Sequence, residues 1–505
     1  MYLLYVQSSY DDGRKKSTIY CGTLQENRHV FLGLNRKMKN KDYTIQGKYD
    51  MITLYENMQE LETEGVPRVK KIVRKVGLLC SALLLALLLT GCVGTSVEEL
   101  MTLPQLPMQY TGLSKQIDEL IKNGYEYAAP LTGRNIQSVQ MIDINGDGID
   151  EVLAFFRLPS DEKQLKIFVF RRTEDSYTRL CTIESAGTGI DSVNCHDVTG
   201  DGKMELIVGW KISADVQTVA VYSLGPDPAV LMSSGYTRFS IEELDGDSIP
   251  SLLLFRTDSE GNSVAEFYSW HDETMSVSYR CLLSSDMAEL SRGSVVSGGL
   301  TEDGLPAVFV TGINNQGMAV TDILTYQKEL GLVNVALDAA TGRSKAVYNY
   351  CQIRPQDIDD DGLIELPAPA STDDTANQTG GVISWFNYDD HGEREWARDT
   401  YHCPNADWYF TLPEDWHGTV SAAVVESASN ETCVVLQVNN ENVLAIYSIS
   451  GENRESRVSR NNYLILAQRP AILYAGELLA AAEKYGADQY LLYRSFHLIT
   501  NFWLS

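Results

Sequence analysis

The sequence predicts a mainly β protein: a β-propeller of about five blades carrying acidic loops, followed by a small α+β domain. Three observations lead there. One acidic loop pattern recurs through the middle of the chain, strand-like segments alternate with its copies, and the pattern stops near residue 400.

The repeat is the most informative of the three. Ile136–Leu153, containing Asp143-Ile-Asn145-Gly-Asp147-Gly148-Ile-Asp150-Glu151, aligns without a gap on Ile190–Ile207, containing Asp197-Val-Thr199-Gly-Asp201-Gly202-Lys-Met-Glu205. Asp357-Ile-Asp359-Asp-Asp361-Gly362-Leu-Ile-Glu365 is a third full copy. Two worn copies lie between, Glu243-Leu-Asp245-Gly-Asp247-Ser248 and Gly299-Leu-Thr-Glu302-Asp303-Gly304. The starts at 143, 197, 243, 299 and 357 are 54, 46, 56 and 58 residues apart. That period suits one four-stranded blade and is long for one turn of a β-helix.

Strands are expected between the loops. Lys166–Arg171, Thr218–Ser223, Val264–Trp270 and Val382–Tyr388 are rich in β-branched and aromatic residues, and polar turn residues follow most of them. One such unit cannot bury its own face, so the copies must pack on each other. Ahead of them, Gly112–Asn123 reads as a short helix with Leu113, Ile117, Leu120 and Ile121 on one face.

Beyond residue 400 the acidic loop is missing. Strands are expected around Val424, over Val434–Val438 and from Val443, and a helix over Ala475–Tyr485 that Gln489–Leu498 extends. The run Phe410-Thr-Leu-Pro413-Glu-Asp-Trp416 resembles the start of the small α+β PsbP-like domains appended to bacterial lipoproteins. One more blade is the alternative.

Charge narrows the function. Residues 1–91 carry 14 Lys+Arg against 9 Asp+Glu, so of 41 basic and 68 acidic residues in all, 27 and 59 fall after them. A surface that acidic repels nucleic acid and anionic lipid and favours cations. The six cysteines past Cys92 show no CxxC or Cys/His metal spacing and read as isolated buried thiols; only Cys181 and Cys195 are close enough to suggest a local bridge.

In the loop D-x-[N/D/T]-x-D-G-x-x-E, side-chain oxygens come from positions 1, 3, 5 and 9, and the position 7 carbonyl can join them. An all-oxygen set with several carboxylates suits Ca²⁺ over Mg²⁺. The loop is not an EF-hand, because Ala154, Val208 and Ala368 stand where a bidentate Glu would be needed. It resembles the calcium loops of FG-GAP and VCBS-type repeats, which build propellers in integrin alpha subunits and bacterial surface proteins. Carried over residue by residue, the resemblance implies calcium ligands at Asp143, Asn145, Asp147 and Glu151; at Asp197, Thr199, Asp201 and Glu205; and at Asp357, Asp359, Asp361 and Glu365. It covers about residues 130–400. The Phe-Gly and Gly-Ala-Pro signatures of the integrin repeats are absent, and Glu stands at position 9 where family loops often have Asp. The worn copies carry Ser251 and Ala307 there and are expected to be empty.

The export route is also written in the chain. Val69-Lys-Lys-Ile-Val-Arg-Lys75 supplies a basic region, Val76–Leu89 an apolar one too short to span a bilayer, and Leu89-Thr-Gly-Cys92 a small-residue end. This resembles the lipobox of bacterial lipoproteins, in which the cysteine thiol receives a diacylglyceryl group before cleavage. The resemblance implies lipidation at Cys92 and an extracytoplasmic, membrane-anchored protein. Residues 69–91 are then signal peptide, 92–112 a tether, 113–400 the helix and propeller, and 401–505 the α+β domain. Residues 1–68 show no sustained period and are expected to be a disordered extension or to lie upstream of a true start at Val69, after a Glu64-Gly65 pair whose codons can resemble a ribosome-binding site.

For function, a non-catalytic module binding a protein or glycan is the first reading. A cell-envelope enzyme acting on polysaccharide is the second, and a structural or assembly lipoprotein the third. No G-x-S-x-G or H-E-x-x-H motif occurs, and His196, His271, His391, His402, His417 and His497 are dispersed. Trp385, Trp396, Trp408 and Trp416 are read as core rather than as a sugar platform. Replacing Cys92 with Ala is expected to release the protein from membranes or leave an unprocessed precursor; unchanged fractionation and size would refute the lipidation.

Overall fold

The computed structural model describes residues 2–11, 14–23, 108–173, 176–370, 380–428 and 430–499. Cys92, the segment 69–91 and the tether as far as residue 107 lie outside the described residues. The chain divides into two compact units, Met1–Pro104 and Gln105–Ser505. In the first, Tyr2–Asp11 pairs antiparallel with Arg14–Thr23, Tyr2 opposite Thr23. These are regular strands where the sequence shows no sustained period.

The second unit is mainly β and antiparallel, and four of its sheets repeat one plan of consecutive strands. The first sheet runs Val139–Ile142, Glu151–Arg157, Leu165–Arg172, Tyr177–Ser185. The second runs Gly189–His196, Glu205–Lys211, Gln217–Ser223, Ala229–Tyr236. The third runs Arg238–Glu242, Ser251–Thr257, Ser263–His271, Thr274–Leu282, and the fourth Ser294–Gly299, Pro306–Ile313, Met318–Gln327, Gly331–Asn334. In the fifth, the first strand shrinks to a single bridge, Gln356 to Glu365, before Leu366–Pro369, Gly381–Tyr388, Arg394–Cys403 and Trp408–Thr411. A sixth sheet without an acidic loop holds Val420–Ala428, Glu431–Val438, Glu441–Ser450, Ile472–Leu478 and Leu464–Gln468.

The second strand of each repeated sheet is apolar on both faces because both faces are covered. Leu153 and Phe155 pack into the seam with the second sheet, beside Leu206, Val208 and Trp210. Val152, Ala154 and Phe156 point the other way, beneath Leu113 of the helix Met108–Lys122. Further clusters join second to third, third to fourth, fourth to fifth and fifth to sixth sheets. The outer face of the sixth sheet is covered by Val458 of the helix Arg454–Asn461. Among the described residues no hydrophobic cluster joins the first sheet to the sixth.

A second repeat is embedded in the ladders. The residue after loop position 9 (Val152, Leu206, Leu252, Leu366) pairs with an aromatic on the third strand (Phe170, Tyr222, Tyr268, Phe386). In each of these sheets a β-bulge toward the fourth strand falls immediately before that aromatic. A bulge re-aims a strand and increases its twist, so these four sheets share one twist point.

Three expectations change. Ala475–Tyr485 is not a helix: its first four residues lie in the strand Ile472–Leu478, paired on both sides, and only Glu483–Tyr485 forms a short 3-10 turn. Helix-favouring composition loses to pairing that buries Tyr474 and Ala475 completely. Ile121, assigned to the buried helix face, is 44% exposed. The strand Arg394–Cys403 also crosses residue 400, where a domain boundary was expected, and Phe496–Leu498 returns to the same sheet. Trp385, Trp408 and Trp416 are buried in the core as read from the sequence, whereas Trp396 is only half-buried.

Phe155 is fully buried in the seam between the first two sheets. Phe155→Ala is expected to lower the free energy of unfolding by about 3–5 kcal/mol, measured by denaturant titration. Leu330→Ala, at a side chain 70% exposed, is the surface comparison, expected to stay within about 0.5 kcal/mol of the parent.

Candidate metal centre

Each acidic loop connects the first and second strands of its sheet. The flanking pairs are Ile142–Glu151, His196–Glu205, Glu242–Ser251 and Gln356–Glu365, so four loops have equal length. In the fourth sheet the pair is Gly299–Pro306, and the loop is two residues shorter. The four equal loops take one backbone path, with positive φ at positions 4 and 6: Gly146 and Gly148, Gly200 and Gly202, Gly246 and Ser248, Asp360 and Gly362. That Ser248 and Asp360 accept φ of 69° and 61° shows how strongly the loop dictates its shape, since non-glycine residues disfavour this region.

Position 1 organises each full loop. Asp143 accepts N–H donors from Gly146, Asp147 and Gly148 at 2.8, 3.2 and 2.8 Å. Asp197 accepts from Gly200, Asp201 and Gly202 at 2.7, 3.2 and 2.8 Å. Asp357 accepts from Asp361 and Gly362 at 3.1 and 2.9 Å. Position 5 then caps position 7, with Ile149, Lys203 and Leu363 each donating at 2.8 Å to Asp147, Asp201 and Asp361.

Position 9 closes the loop from below. Glu151, Glu205 and Glu365 are almost fully buried, and one oxygen of each accepts the N–H of position 2: Ile144 at 3.0 Å, Val198 at 3.1 Å, Ile358 at 3.0 Å. The other oxygen distinguishes the copies. In the first loop Glu151 Oε1 takes the Asn145 amide at 2.9 Å and Arg171 Nε at 3.1 Å. In the third full loop Glu365 Oε1 is buried without a hydrogen-bond partner, and so is Asp359 Oδ1. The opposite oxygen of Asp359 is held by Arg398 at 2.7 Å.

The electrostatics follow. Burial, then repulsion from Asp201 and Asp197, pushes Glu205 up to about 7 against a favourable hydrogen bond from Val198. Burial and repulsion from Asp359, Asp361 and Asp357 push Glu365 up to about 8. The Lys203 ammonium, 3.0 Å from Asp201, holds that carboxyl below its usual range. The Thr199 hydroxyl bonds toward both Asp201 and Glu205.

Among the described residues, two groups of three acids bring side-chain oxygens within 4.8 Å of one another: Asp357, Asp359 and Asp361, and Glu243, Asp245 and Asp247. The second belongs to a copy read as worn and empty because Ser251 replaces the acid at position 9. It keeps the loop backbone, and burial raises the carboxyl of Asp245. Sequence reasoning weighted position 9 and missed that positions 1, 3 and 5 are all acidic there. In the first two loops Asn145 and Thr199 occupy position 3. The remaining worn copy, with Asp303, has the shortened loop.

Neighbouring loops touch. Met204 N–H donates to the Ile144 carbonyl at 2.8 Å, and Gly299 bridges Leu363 in parallel. A Cβ on Gly200 would stand 2.6 Å from Ile249 Cδ1.

The residues at 357–365 fit a hard divalent cation. They offer an all-oxygen set, three converging carboxylates, and a buried, unpartnered oxygen on the glutamate that closes the loop. Asp357, Asp359, Asp361 and Glu365 would hold the ion, which would add positive charge to that of Arg398 on Asp359.

The described cysteines are all free, so Cys181 and Cys195 form no bridge. Burial pushes their thiols up to about 11 and about 12. One feature had no sequence signal: His417 Nδ1 lies 2.8 Å from Asp399 Oδ2, whose other oxygen takes the Trp396 indole N–H at 3.0 Å. No known family model matches the chain, and no curated protein is significantly similar to it. Among the described residues no helix is long and apolar enough to cross a membrane.

The raised carboxyls imply a pH dependence of the metal-free protein. A folded value near 7 or 8 against an ordinary 4.5 means that the folded state holds these protons more tightly. The stabilisation is complete below about pH 4.5 and disappears as pH rises through 7 and 8. Chelated protein is therefore expected to melt at a lower temperature at pH 8.5 than at pH 5.5. Glu365→Gln should flatten part of that slope; an unaltered slope in the variant would remove Glu365 as its source.

Proposed function

We propose that the chain is an extracytoplasmic lipoprotein, anchored through Cys92, whose calcium-stabilised sheets form a non-catalytic scaffold for binding a protein or glycan. The sheets are read as propeller-type blades packed face to face in chain order, with the helices Met108–Lys122 and Arg454–Asn461 covering the outer faces of the first and the last. The observation that carries the calcium assignment is the convergence of the Asp357, Asp359 and Asp361 carboxylates in the loop that Glu365 closes with a buried, unpartnered oxygen. A cation there offsets carboxylate repulsion and locks the turn between two strands. Binding to the folded state alone stabilises by RT ln(1 + [Ca²⁺]/Kd), about 2.7 kcal/mol per site at 100 Kd.

The loops should not contribute equally. Glu151 already has Arg171 as a counter-charge, whereas Glu365 has none at ion-pair distance among the described residues. Chelation is expected to lower the melting temperature, calcium to restore it and magnesium to restore it poorly. Asp361→Ala should remove a larger share of the calcium shift than Asp147→Ala, Asp201→Ala should remove part of it, and Asp303→Ala should remove little. A melting curve indifferent to chelator would reduce these loops to acidic turns.

A further inference from the structure

A cavity of about 560 Å³ lies at the edge of the fifth sheet, against the loop at 357–360, the strand Trp408–Thr411 with the turn beyond it, and the helix Gln489–Ser495. Its size falls within the range of small-molecule sites. The loop supplies one wall, where Asp359 is already held by Arg398 at 2.7 Å. Outside the loop and its arginine, the charged lining is Glu414, Asp415 and Arg494.

The cavity stands out for hydrogen-bonding groups that the protein leaves unused. Among the described residues the Tyr409 hydroxyl, the Thr411 hydroxyl and the His497 ring nitrogens have no hydrogen-bond partner, and no carboxylate lies at ion-pair distance from Arg494. Arg494 is steadied instead by the Tyr490 ring, whose centroid is 5.3 Å from its guanidinium. Burial, then Asp360, raise the Tyr409 hydroxyl from its ordinary value against Arg398, so it remains a donor. Burial lowers His497, which leaves a neutral ring that both donates and accepts at neutral pH. The rings also stack: His402, Tyr409 and His497 stand side by side on three paired strands, their centroids 5.0 and 4.7 Å apart and their planes 9° and 12° from parallel. Phe496–Leu498 is the edge strand of this sheet, so among the described residues His497 is the last ring of the column.

Two hydroxyls, a neutral imidazole, a guanidinium and two carboxylates thus set donors beside acceptors, and a stacked ring adds an aromatic face. A cation would use the acids alone and meet Arg494; an anion would use the arginine alone and meet Glu414 and Asp415. A saccharide uses all of them. Each of its hydroxyls both donates and accepts, and the C–H face of its ring packs on an aromatic face, which is electron-rich. We propose that this cavity binds a neutral saccharide, held by Tyr409, Thr411, Arg494, Glu414 and Asp415, with a sugar ring against His497. The proposal rests on the reading of the chain as a non-catalytic binding module and names its ligand class. It does not rest on calcium, since none of these six residues belongs to an acidic loop.

The test is calorimetric titration of the folded protein with maltose, cellobiose and N,N′-diacetylchitobiose, with digalacturonate as the anionic comparison and dilysine as the cationic one. At least one neutral disaccharide is expected to bind, with an affinity indifferent to salt, and digalacturonate at least about tenfold more weakly. Tyr409→Phe keeps the ring and removes a hydroxyl without a protein partner, so the melting temperature should hold or rise while saccharide affinity falls by about tenfold. Arg494→Gln, at an exposed side chain, should weaken binding by a similar factor with an unchanged circular-dichroism spectrum, and it carries the test should Tyr409→Phe fail to fold. Parent-like affinity in both variants, tighter binding of dilysine or digalacturonate than of every neutral disaccharide, or no neutral disaccharide bound at tens of millimolar would each overturn the proposal. Release of reducing ends from a bound disaccharide would support the saccharide and overturn the non-catalytic reading, which keeps the two failures apart.

Discussion

The architecture turns on one buried hydrogen bond, repeated in three sheets: a glutamate at the start of the second strand accepts the N–H of the second loop residue. That bond fixes the loop against the sheet it belongs to. It also forces a carboxylate into the seam, where burial disfavours its charge. The tension is resolved differently each time. Arg171 answers Glu151, the Thr199 hydroxyl lies against Glu205, and Glu365, pushed further up than Glu205, has no counter-charge at ion-pair distance among the described residues. The same backbone therefore yields loops whose buried carboxylates are offset to different degrees. In the third sheet Ser251 replaces the glutamate, while the acids at positions 1, 3 and 5 stay together and Asp245 keeps a buried, unpartnered oxygen.

Much of this was legible in the sequence because the loop constrains side chains directly. Aspartate at position 1 is required by the backbone donors it collects, and glycine at position 6 by positive φ, so the pattern survives at intervals of 46 to 58 residues. Strands such as Leu165–Arg172 and Ser263–His271 were visible in their branched and aromatic content. What was hidden depends on contacts that no local pattern encodes. Ala475–Leu478 is strand because Glu441–Ser450 pairs along all of it and Leu464–Gln468 along Ala475 and Gly476, against its own composition. The helix Arg454–Asn461 carries one buried apolar residue, Val458, and so shows no period. The first strand of the fifth sheet is a single bridge. Arg171 and Arg398, which decide how each loop is balanced, come from later strands of the same sheets, far from the loops in sequence.

The aromatic at the bulge adds a second level of order. In four sheets the bulge precedes Phe170, Tyr222, Tyr268 or Phe386, directly across the ladder from the residue that follows the loop. The ladder thus couples the end of the loop to the point where the third strand changes direction. A rigid loop and a shared twist point give successive sheets similar faces, which is what allows each to bury the next. The fourth sheet lacks the long loop and has Thr325 opposite Ala307 on the corresponding strands. It also meets the fifth sheet along a cavity of about 410 Å³.

The two helices that cover the outer faces, Met108–Lys122 on the first sheet and Arg454–Asn461 on the sixth, bear on how such a chain can change over generations. A ring that closes on itself admits only the number of units whose wedge angles complete the circle. A series whose ends are sealed by separate helices has no such sum to satisfy, since each sheet needs only a neighbour on either side. Duplication or loss of a whole unit between the two helices would leave both seals intact, and unequal exchange between repeats could then vary the length of the series while preserving every kind of seam.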